Sequence, residues 1–158
     1  MQSISNVLTA SQWFTYEHLF TEEYIRKLNQ QYYNVKRIEQ EVISIDKKWH
    51  GYLVAEIEHN IVGVIGGGML NEDRCEVYVL YLDPSVRGNG IGTRLLNFLT
   101  KIQKHQYGAK EQWVSVAKGN DYGIPFYEAR GFIFQHEGKS YGTEEADQDI
   151  SLMYKRNI

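Results

Sequence analysis

The chain has 158 residues, of which 42% are hydrophobic and 23% charged, so one globular domain, residues 1–158, is expected and a large multidomain assembly is excluded. Its 17 basic and 20 acidic side chains give a formal net charge of −3, without the basic excess of a nonspecific nucleic-acid binder. The single cysteine, Cys75, needs no oxidising compartment, and no apolar run reaches the ~20 residues that span a bilayer, which predicts a cytoplasmic protein without a nucleic-acid or membrane partner.

The N-terminal part of the chain has a helical pattern. Apolar and aromatic side chains recur every three or four positions from Ser11 to about Val42, as one face of a helical segment requires. Thr21, followed by two glutamates, predicts the start of a second helix. Before Ser11, only Ile4 to Leu8 is a candidate strand. We therefore expect a helical segment over 1–45 and a sheet-forming core over 46–158.

Six strands and two helices are predicted in the rest of the chain. Two strands, Tyr52 to Glu58 and Ile61 to Gly67, flank a His59-Asn60 turn and predict a hairpin. Three consecutive glycines from Gly66 predict either a close approach of substrate or backbone, or a bulge. The later elements are strands at Cys75 to Leu82, Gln112 to Ala117, Phe132 to Gln135 and Ile150 to Tyr154, with helices at Ile91 to Ile102 and Ile124 to Arg130. This mixed order predicts an α/β or α+β fold with one central sheet.

A glycine-rich turn, Arg87-Gly88-Asn89-Gly90-Ile91-Gly92, connects a strand to a helix. Such a turn can bind an anion, because backbone N–H groups and the helix dipole both point toward it. The P-loop pattern is excluded because its lysine is absent, and the dinucleotide pattern is excluded because the glycines alternate. A purely structural turn stays open as the alternative.

Two other segments accompany the turn at fixed spacings. Upstream, the string Leu80-Tyr81-Leu82-Asp83-Pro84 ends the strand. Downstream, Asn120 is followed after seven positions by Tyr127, and then by the pair Gly131-Phe132. Together with the turn, which fills the pattern Arg/Gln-x-x-Gly-x-Gly/Ala, these segments resemble the GNAT superfamily of acyl-CoA-dependent N-acyltransferases.

The resemblance covers roughly residues 54–134 and carries several expectations. It implies a single-domain GNAT-like fold with a central mixed, mostly antiparallel, twisted sheet flanked by helices. It implies an N-acetyltransferase with acetyl-CoA as co-substrate, acting by direct attack of an amine in a ternary complex. A homodimer is expected by analogy only. No metal is predicted, because the five histidines are scattered without metal-ligand spacing.

The resemblance also assigns roles to particular residues. Glu76 is the candidate general base, the Leu80 N–H is expected to face the thioester oxygen, and Tyr127 is the candidate acid for the leaving thiolate. Strand alternation is expected to place Glu76, Tyr78 and Leu80 on one face. A solvated carboxylate, core packing of Tyr127 and an ordinary sheet role for Leu80 stay open. The expected coenzyme-binding residues are Leu80, Tyr81, Leu82, Arg87, Gly88, Asn89, Gly90, Ile91, Gly92, Thr93, Asn120 and Tyr127, with Asn120 alternatively capping a turn.

Acceptor choice is expected to depend on the N-terminal helices and the last hairpin. The aromatic residues there are Trp13, Tyr16, Tyr24, Tyr32, Tyr33 and Tyr141. The acidic segment 142–149 could attract a cationic amine such as a polyamine, or be a solvated loop. Three functions stay open: acetylation of a small-molecule amine, acetylation of a protein lysine or N-terminus, and non-catalytic acetyl-CoA binding. The presence of Tyr127 favours an enzyme, and the small size of the chain favours a small acceptor.

Overall fold

A computed structural model of the protein describes residues 1–139 and 150–158. The helices in these residues are α1 (Gln2–Tyr16), α2 (Glu22–Tyr32), α3 (Val35–Ile43), α4 (Ile91–Lys101) and α5 (Gly123–Glu128). The strands are β1 (Tyr52–Ile57), β2 (Asn60–Met69), β3 (Arg74–Leu82), β4 (Glu111–Ala117), β5 (Ile133–Lys139) and β6 (Ile150–Asn157). No helix in the described residues is both long enough and apolar enough to cross a bilayer.

The strands form one sheet in the order β1-β2-β3-β4-β6-β5. β3 and β4 are parallel, and the other neighbouring strands are antiparallel. Adjacent residues of β2 show the two covered faces, because Val64 packs with residues of α1 and α3 while Ile65 packs with residues of α4. The predicted mixed, mostly antiparallel sheet flanked by helices is confirmed.

The N-terminal ten residues differ from the expectation. The segment from Ile4 to Leu8, a candidate for a first strand that could also be absent, forms no strand, because α1 begins at Gln2 and includes it. Ile4, Val7 and Leu8 are buried, and their spacing of three and four positions directs them to one side of a helix. This side packs on the face of the sheet that α3 also covers.

The hairpin turn lies one residue earlier than predicted. Glu58 and His59 are the turn residues, with positive φ angles of 48° and 65°, and β2 already begins at Asn60. Tight two-residue hairpins prefer turns with positive φ at both central residues, because their twist matches that of the strands. The prediction of a His59-Asn60 turn is therefore wrong by one residue.

A β-bulge interrupts the pairing of β2 with β3. Gly66 lies opposite Val79 and Gly67 lies opposite Val77, so β3 has one extra residue, Tyr78. An extra residue reverses the alternation of side chains beyond it. Before the bulge, the even-numbered residues of β3 face one layer of helices, and after it the even-numbered residues face the other layer.

The bulge separates two residues that were expected to share a face. Leu80 packs in the core that α4 covers, whereas Glu76 lines a cavity under α1, α2 and α3. The prediction that Glu76, Tyr78 and Leu80 lie on one face is therefore wrong. Simple alternation fails here because it assumes a strand without an inserted residue.

The glycines of β2 allow close contacts. A Cβ on Gly66 would lie 2.4 Å from the ring of Trp49, and one on Gly68 would lie 1.7 Å from the carbonyl oxygen of Lys48. A Cβ on Gly67, at the bulge, would lie 2.3 Å from the carbonyl oxygen of Glu76. Both expected explanations of the glycine run, a close approach and a bulge, are observed.

Gly68→Ala is expected to lower the free energy of unfolding by about 2–3 kcal/mol, because the new Cβ overlaps backbone that must move. Gly138→Ala in β5 is the matched control, since no atom of the described residues lies within 4 Å of its Cβ position. Its effect is expected to stay within about 0.5 kcal/mol. Urea unfolding of both variants measures the difference, and equal stabilities would contradict the contact.

Candidate functional site

A cavity of about 320 Å³, called here the large cavity, opens between the three N-terminal helices and the middle of the sheet. Its polar lining includes Gln12, Arg37, Glu41 and Glu76. Its aromatic lining consists of Tyr16, Phe20, Tyr32, Tyr33, Trp49, Tyr52, Tyr78 and Tyr81. The cavity is thus mainly aromatic, with two carboxylates and one guanidinium in its wall.

Hydrogen bonds connect several phenols of the large cavity. The Gln12 side-chain amide lies 3.3 Å from the Tyr33 hydroxyl and 3.2 Å from the Tyr81 hydroxyl. The Tyr81 hydroxyl lies 3.4 Å from that of Tyr16. Burial raises the pKa of Tyr33 to about 12 and raises the pKa of Tyr81 well above its usual value. These phenols therefore stay neutral and act as fixed hydrogen-bonding groups.

Glu41 brings a carboxylate from α3 into the large cavity. Arg37 donates to Glu41 Oε1 at 2.7 Å, the Tyr52 hydroxyl donates to Glu41 Oε2, and Trp49 Nε1 donates to the Glu41 carbonyl at 2.8 Å. The sequence analysis missed Glu41, since the spacing from Arg37 to Glu41 indicates only a pair along a helix. Whether Glu41 points into the cavity depends on how α3 packs on the sheet, and local sequence does not determine this packing.

Glu76 also lies in the wall of the large cavity. It is 1% exposed, so the alternative of a solvated strand carboxylate is excluded. Its negative charge is one cause, after burial, of the raised pKa of the neighbouring Tyr78. The structure thus gives Glu76 a buried place beside aromatic rings in the wall of the large cavity.

A second cavity of about 100 Å³, called here the small cleft, lies between the end of β3, the start of α4 and α5. Of the residues predicted from the sequence, it brings together Leu80, Tyr81, Leu82, Arg87, Gly92, Asn120 and Tyr127. The others, Gly88, Asn89, Gly90, Ile91 and Thr93, lie in the adjoining turn and the first turn of α4. Tyr81 belongs to the lining of both cavities.

The glycine turn leaves the start of α4 open. Gly88 and Gly90 have φ angles of 83° and 76°, and within the described part of the chain nothing lies within 4 Å of either Cβ position. Gly90 is the N-cap of α4, and no side chain of residues 1–139 or 150–158 caps this helix. The first N–H groups of an α-helix have no partner inside the helix. Together with the helix dipole, they favour an anion at this position.

Arg87 adds a positive charge next to the turn. Its Nη2 donates to Ser11 Oγ at 3.3 Å and to Thr15 Oγ1 at 3.2 Å, and its guanidinium lies over the rings of Phe14 and Tyr122. Arg87 Nε is buried without a partner, and no carboxylate in the described part of the chain pairs with this side chain. Burial lowers the pKa of Arg87, but the group stays protonated. A partly buried cation without a counter-charge fits an anionic ligand.

Asn120 caps the turn before α5. Its Oδ1 accepts hydrogen bonds from the backbone N–H groups of Gly123 at 2.8 Å and Tyr122 at 3.1 Å. A Cβ on Gly123 would lie 2.8 Å from the Asn120 amide nitrogen, so glycine permits this close contact. The structure thus shows the capping role that the sequence left as an alternative to ligand contact.

Tyr127 belongs to the core and to the small cleft at once. It is 7% exposed and packs edge to face with Phe126 and Phe132 at ring distances of 5.1 Å and 5.2 Å. Burial first, and then the nearby Tyr16 phenol, raises the pKa of Tyr127 above its ordinary value. Its phenol therefore keeps its proton at neutral pH and can donate a hydrogen bond into the cleft.

The predicted aromatic residues of the acceptor side are only partly brought together. Tyr16, Tyr32 and Tyr33 line the large cavity, but Trp13 and Tyr24 do not. Tyr24 is buried and packs on Phe20 at a ring distance of 5.1 Å. Tyr141 and the acidic segment 142–149 lie outside the described residues.

Cys75 is a buried thiol within the sheet. Its Sγ donates to Gln103 Oε1 at 3.1 Å, and burial raises its pKa to about 12. It is therefore a core side chain and not a nucleophile. Within residues 1–139 and 150–158, no group of His, Cys, Asp and Glu side chains is arranged to hold a metal ion.

The comparisons with known proteins agree with one another. The family model described as Acetyltransferase (GNAT) family matches residues 13–132, well over half of the chain. PaiA N-acetyltransferase from Thermoplasma acidophilum, solved in complex with coenzyme A, is similar with a TM-score of 0.83 and 23% identity, covering 99% of this chain and 92% of that one. No match is found among curated proteins.

Two further solved structures are similar over almost the whole chain. Ribosomal-protein-alanine N-acetyltransferase from Brucella melitensis has a TM-score of 0.65 and 19% identity, covering 99% of this chain and 93% of that one. Aminoglycoside 6′-acetyltransferase type Ii has a TM-score of 0.63 and 18% identity, covering 99% of this chain and 88% of that one. At these identities the similarity shows the fold alone.

Alkylation of Cys75 by iodoacetamide near neutral pH is expected to be more than ~100-fold slower in the folded protein than in urea, because burial disfavours the reactive thiolate. Mass spectrometry of samples quenched over time measures both rates, with the unfolded chain as the internal control. Fast alkylation of the folded protein would contradict the buried, protonated thiol.

Proposed function

The chain belongs to the acetyltransferase (GNAT) family, and on this basis we propose that it transfers the acetyl group of acetyl-CoA to a primary amine of a small molecule, by direct attack in a ternary complex. The observation that supports a small acceptor is the large cavity, which α1, α2 and α3 cover. A protein substrate would need an open groove for an extended chain. An aromatic cavity of about 320 Å³ suits a small amine better.

The charge of the cavity favours a cationic acceptor. Glu41 and Glu76 contribute two formal negative charges and Arg37 one positive charge, which leaves one negative charge in the wall. Aromatic rings attract an ammonium group through their faces. Residues 1–45 supply Gln12, Arg37 and Glu41, which supports the acceptor-side role proposed for this segment. Most of the small cleft comes from 46–158, although Thr15 of α1 also lines it.

The glycine turn and the small cleft suit acetyl-CoA, which supplies the thioester. We assign the pyrophosphate to the N–H groups from Arg87 to Thr93, with positive charge from Arg87 beside them. β3 pairs with β4 only from Arg74 to Val77, so the later backbone of β3 has no β4 partner. This backbone, from Leu80 to Leu82, is the proposed contact of the pantetheine arm.

The residues around the two cavities then divide the chemistry. Glu76 accepts a proton from the acceptor ammonium, because only a neutral amine can attack. A C–N bond forms as the C–S bond breaks, and the Leu80 N–H stabilises the negative charge that develops on the carbonyl oxygen. Tyr127, which is protonated at neutral pH, donates its phenolic proton to the departing sulfur as the C–S bond breaks. The second proton, lost by the attacking nitrogen after the C–N bond has formed, returns through water to the Tyr127 oxygen, and Glu76 passes the first proton to solvent.

The direct test is thiol release from acetyl-CoA by the purified protein with amino acids, polyamines, aminoglycosides and lysine peptides, and calorimetric coenzyme binding on the same sample. Release with a small amine is the expected result. Release with lysine peptides only would identify a protein acetyltransferase, and tight binding without release would leave a non-catalytic module or an acceptor outside the panel. Absence of coenzyme binding would overturn the proposal.

Gly90→Asp is expected to weaken coenzyme binding by more than ~100-fold, because it places a carboxylate where the phosphates are proposed to lie. Gly108→Asp is the matched control. Gly108 has a similar φ of +74° and equally open Cβ surroundings, but it lies far from the turn. Its coenzyme affinity should change less than ~2-fold, since backbone strain is similar in both variants. Calorimetry measures both, and retained affinity in Gly90→Asp would refute the phosphate assignment.

Tyr127→Phe is expected to lower kcat by about 100-fold, because a positioned proton donor contributes roughly this much, with coenzyme affinity changed less than ~3-fold. Tyr154→Phe is the control, since Tyr154 is another buried phenol, bonded to Glu128 at 3.1 Å, outside both cavities. Steady-state kinetics and calorimetry give the two quantities. Equal losses of kcat and affinity would reassign Tyr127 to core packing.

A further inference from the structure

A buried amide touches β3 immediately before the bulge. Gln103 is fully buried and lies in the π-helical turn, Ile102–Gln106, that follows α4. Its Nε2 donates to the carbonyl oxygen of Glu76 at 3.2 Å. We propose that Gln103 is a positioning residue, which fixes the Glu76 peptide and so aligns the Glu76 carboxylate and the Leu80 N–H. This inference rests on the proposed function.

The orientation of the Gln103 amide is determined by its neighbours. Arg156 Nε donates to Gln112 Oε1 at 2.9 Å, and Gln112 Nε2 donates to Gln103 Oε1 at 2.8 Å. A guanidinium can only donate and a backbone carbonyl can only accept, so both amides have one consistent orientation between Arg156 and Glu76. The Cys75 thiol, also a donor, supplies a second hydrogen bond to Gln103 Oε1.

A glycine makes the contact between Gln103 and Glu76 possible. A Cβ on Gly67 would lie 2.3 Å from the Glu76 carbonyl oxygen and 2.9 Å from Gln103 Nε2. It would also lie 3.2 Å from Leu99 of α4, so the space belongs to the face that α4 covers. The Glu76 carbonyl therefore leans out of the sheet toward α4, into the space that a larger residue at 67 would fill.

The contact lies at the last place where β3 is held from both sides. Pairing with β4 ends at Val77, and beyond the bulge β3 pairs only with β2. The additional hydrogen bond from Gln103 to Glu76 limits how the part of β3 beyond Val77, which has no β4 partner, can tilt.

Two buried glutamine amides lower the stability of the core unless all their polar groups form hydrogen bonds, and apolar side chains would fill the same space at lower cost. Their presence therefore favours a role for the amides beyond core packing. π-helical turns, such as the one that contains Gln103, also occur frequently at functional sites.

The test compares Gln103→Met with Thr100→Val. Thr100 Oγ1 accepts from Gln112 Nε2 at 3.0 Å, so Thr100→Val removes a hydrogen bond of the same network and leaves the Gln103 contact with Glu76 in place. In Gln103→Met, amide hydrogen exchange of residues 78–82 is expected to accelerate about 10-fold, because the opening free energy of this segment falls. In Thr100→Val, exchange there should stay within about 2-fold of the wild type.

Kinetics supply the second readout. Gln103→Met should lower kcat about 10-fold with the affinity for acetyl-CoA within about 2-fold, the split expected when only transition-state contacts are misaligned. Thr100→Val should keep kcat. Equal exchange in both variants, or faster exchange with unchanged kcat, would overturn the inference. If the wild type acetylates no amine, the proposed function fails, while the exchange comparison still decides whether Gln103 holds β3. Gln103→Leu replaces Gln103→Met if the latter does not fold.

Discussion

The residue inserted into β3 at Tyr78 determines how the rest of the site is arranged. An uninterrupted strand would send Glu76 and Leu80 to the same side of the sheet. With the bulge, Glu76 lies under α1, α2 and α3, and Leu80 faces the layer that contains α4 and α5. One strand thereby supplies a carboxylate to the large cavity and backbone to the small cleft. Gly67 of β2 is needed at the bulge, because a Cβ there would lie 2.3 Å from the Glu76 carbonyl oxygen.

Electrostatics differ sharply between the two cavities. The large cavity contains two carboxylates and neutral phenols, and its formal charge is negative. The small cleft contains Arg87, which pairs with no carboxylate of residues 1–139 and 150–158, and it adjoins the start of α4, which no side chain of these residues caps. A cationic ligand and an anionic ligand can thus be held a short distance apart without competing for the same charges. A reaction between an amine and a phosphate-bearing thioester needs this separation.

Local sequence patterns identified the residues that lie together in the small cleft better than those of the large cavity. The glycine turn, Asn120 and Tyr127 are close in sequence to the elements that position them, and the small cleft includes residues from all three. Glu41 was missed because it depends on how α3 is oriented over the sheet. The first ten residues were misassigned because a short apolar run suits a strand or a helix, and packing against β2 decides between them. The glycine run of β2 indicated a possible bulge, but the faces of Glu76, Tyr78 and Leu80 were predicted as if β3 alternated without interruption.

Tyr81 belongs to the walls of both cavities, so the two ligands proposed for these cavities would share one residue. Its hydroxyl contacts Gln12 and Tyr16 on the acceptor side, while the residue also lines the cleft with Leu80 and Leu82. Any displacement of Tyr81 by one ligand changes the wall that the other ligand meets. Linkage then requires the effect to be mutual: the factor by which the coenzyme changes the affinity for the amine equals the factor by which the amine changes the affinity for the coenzyme.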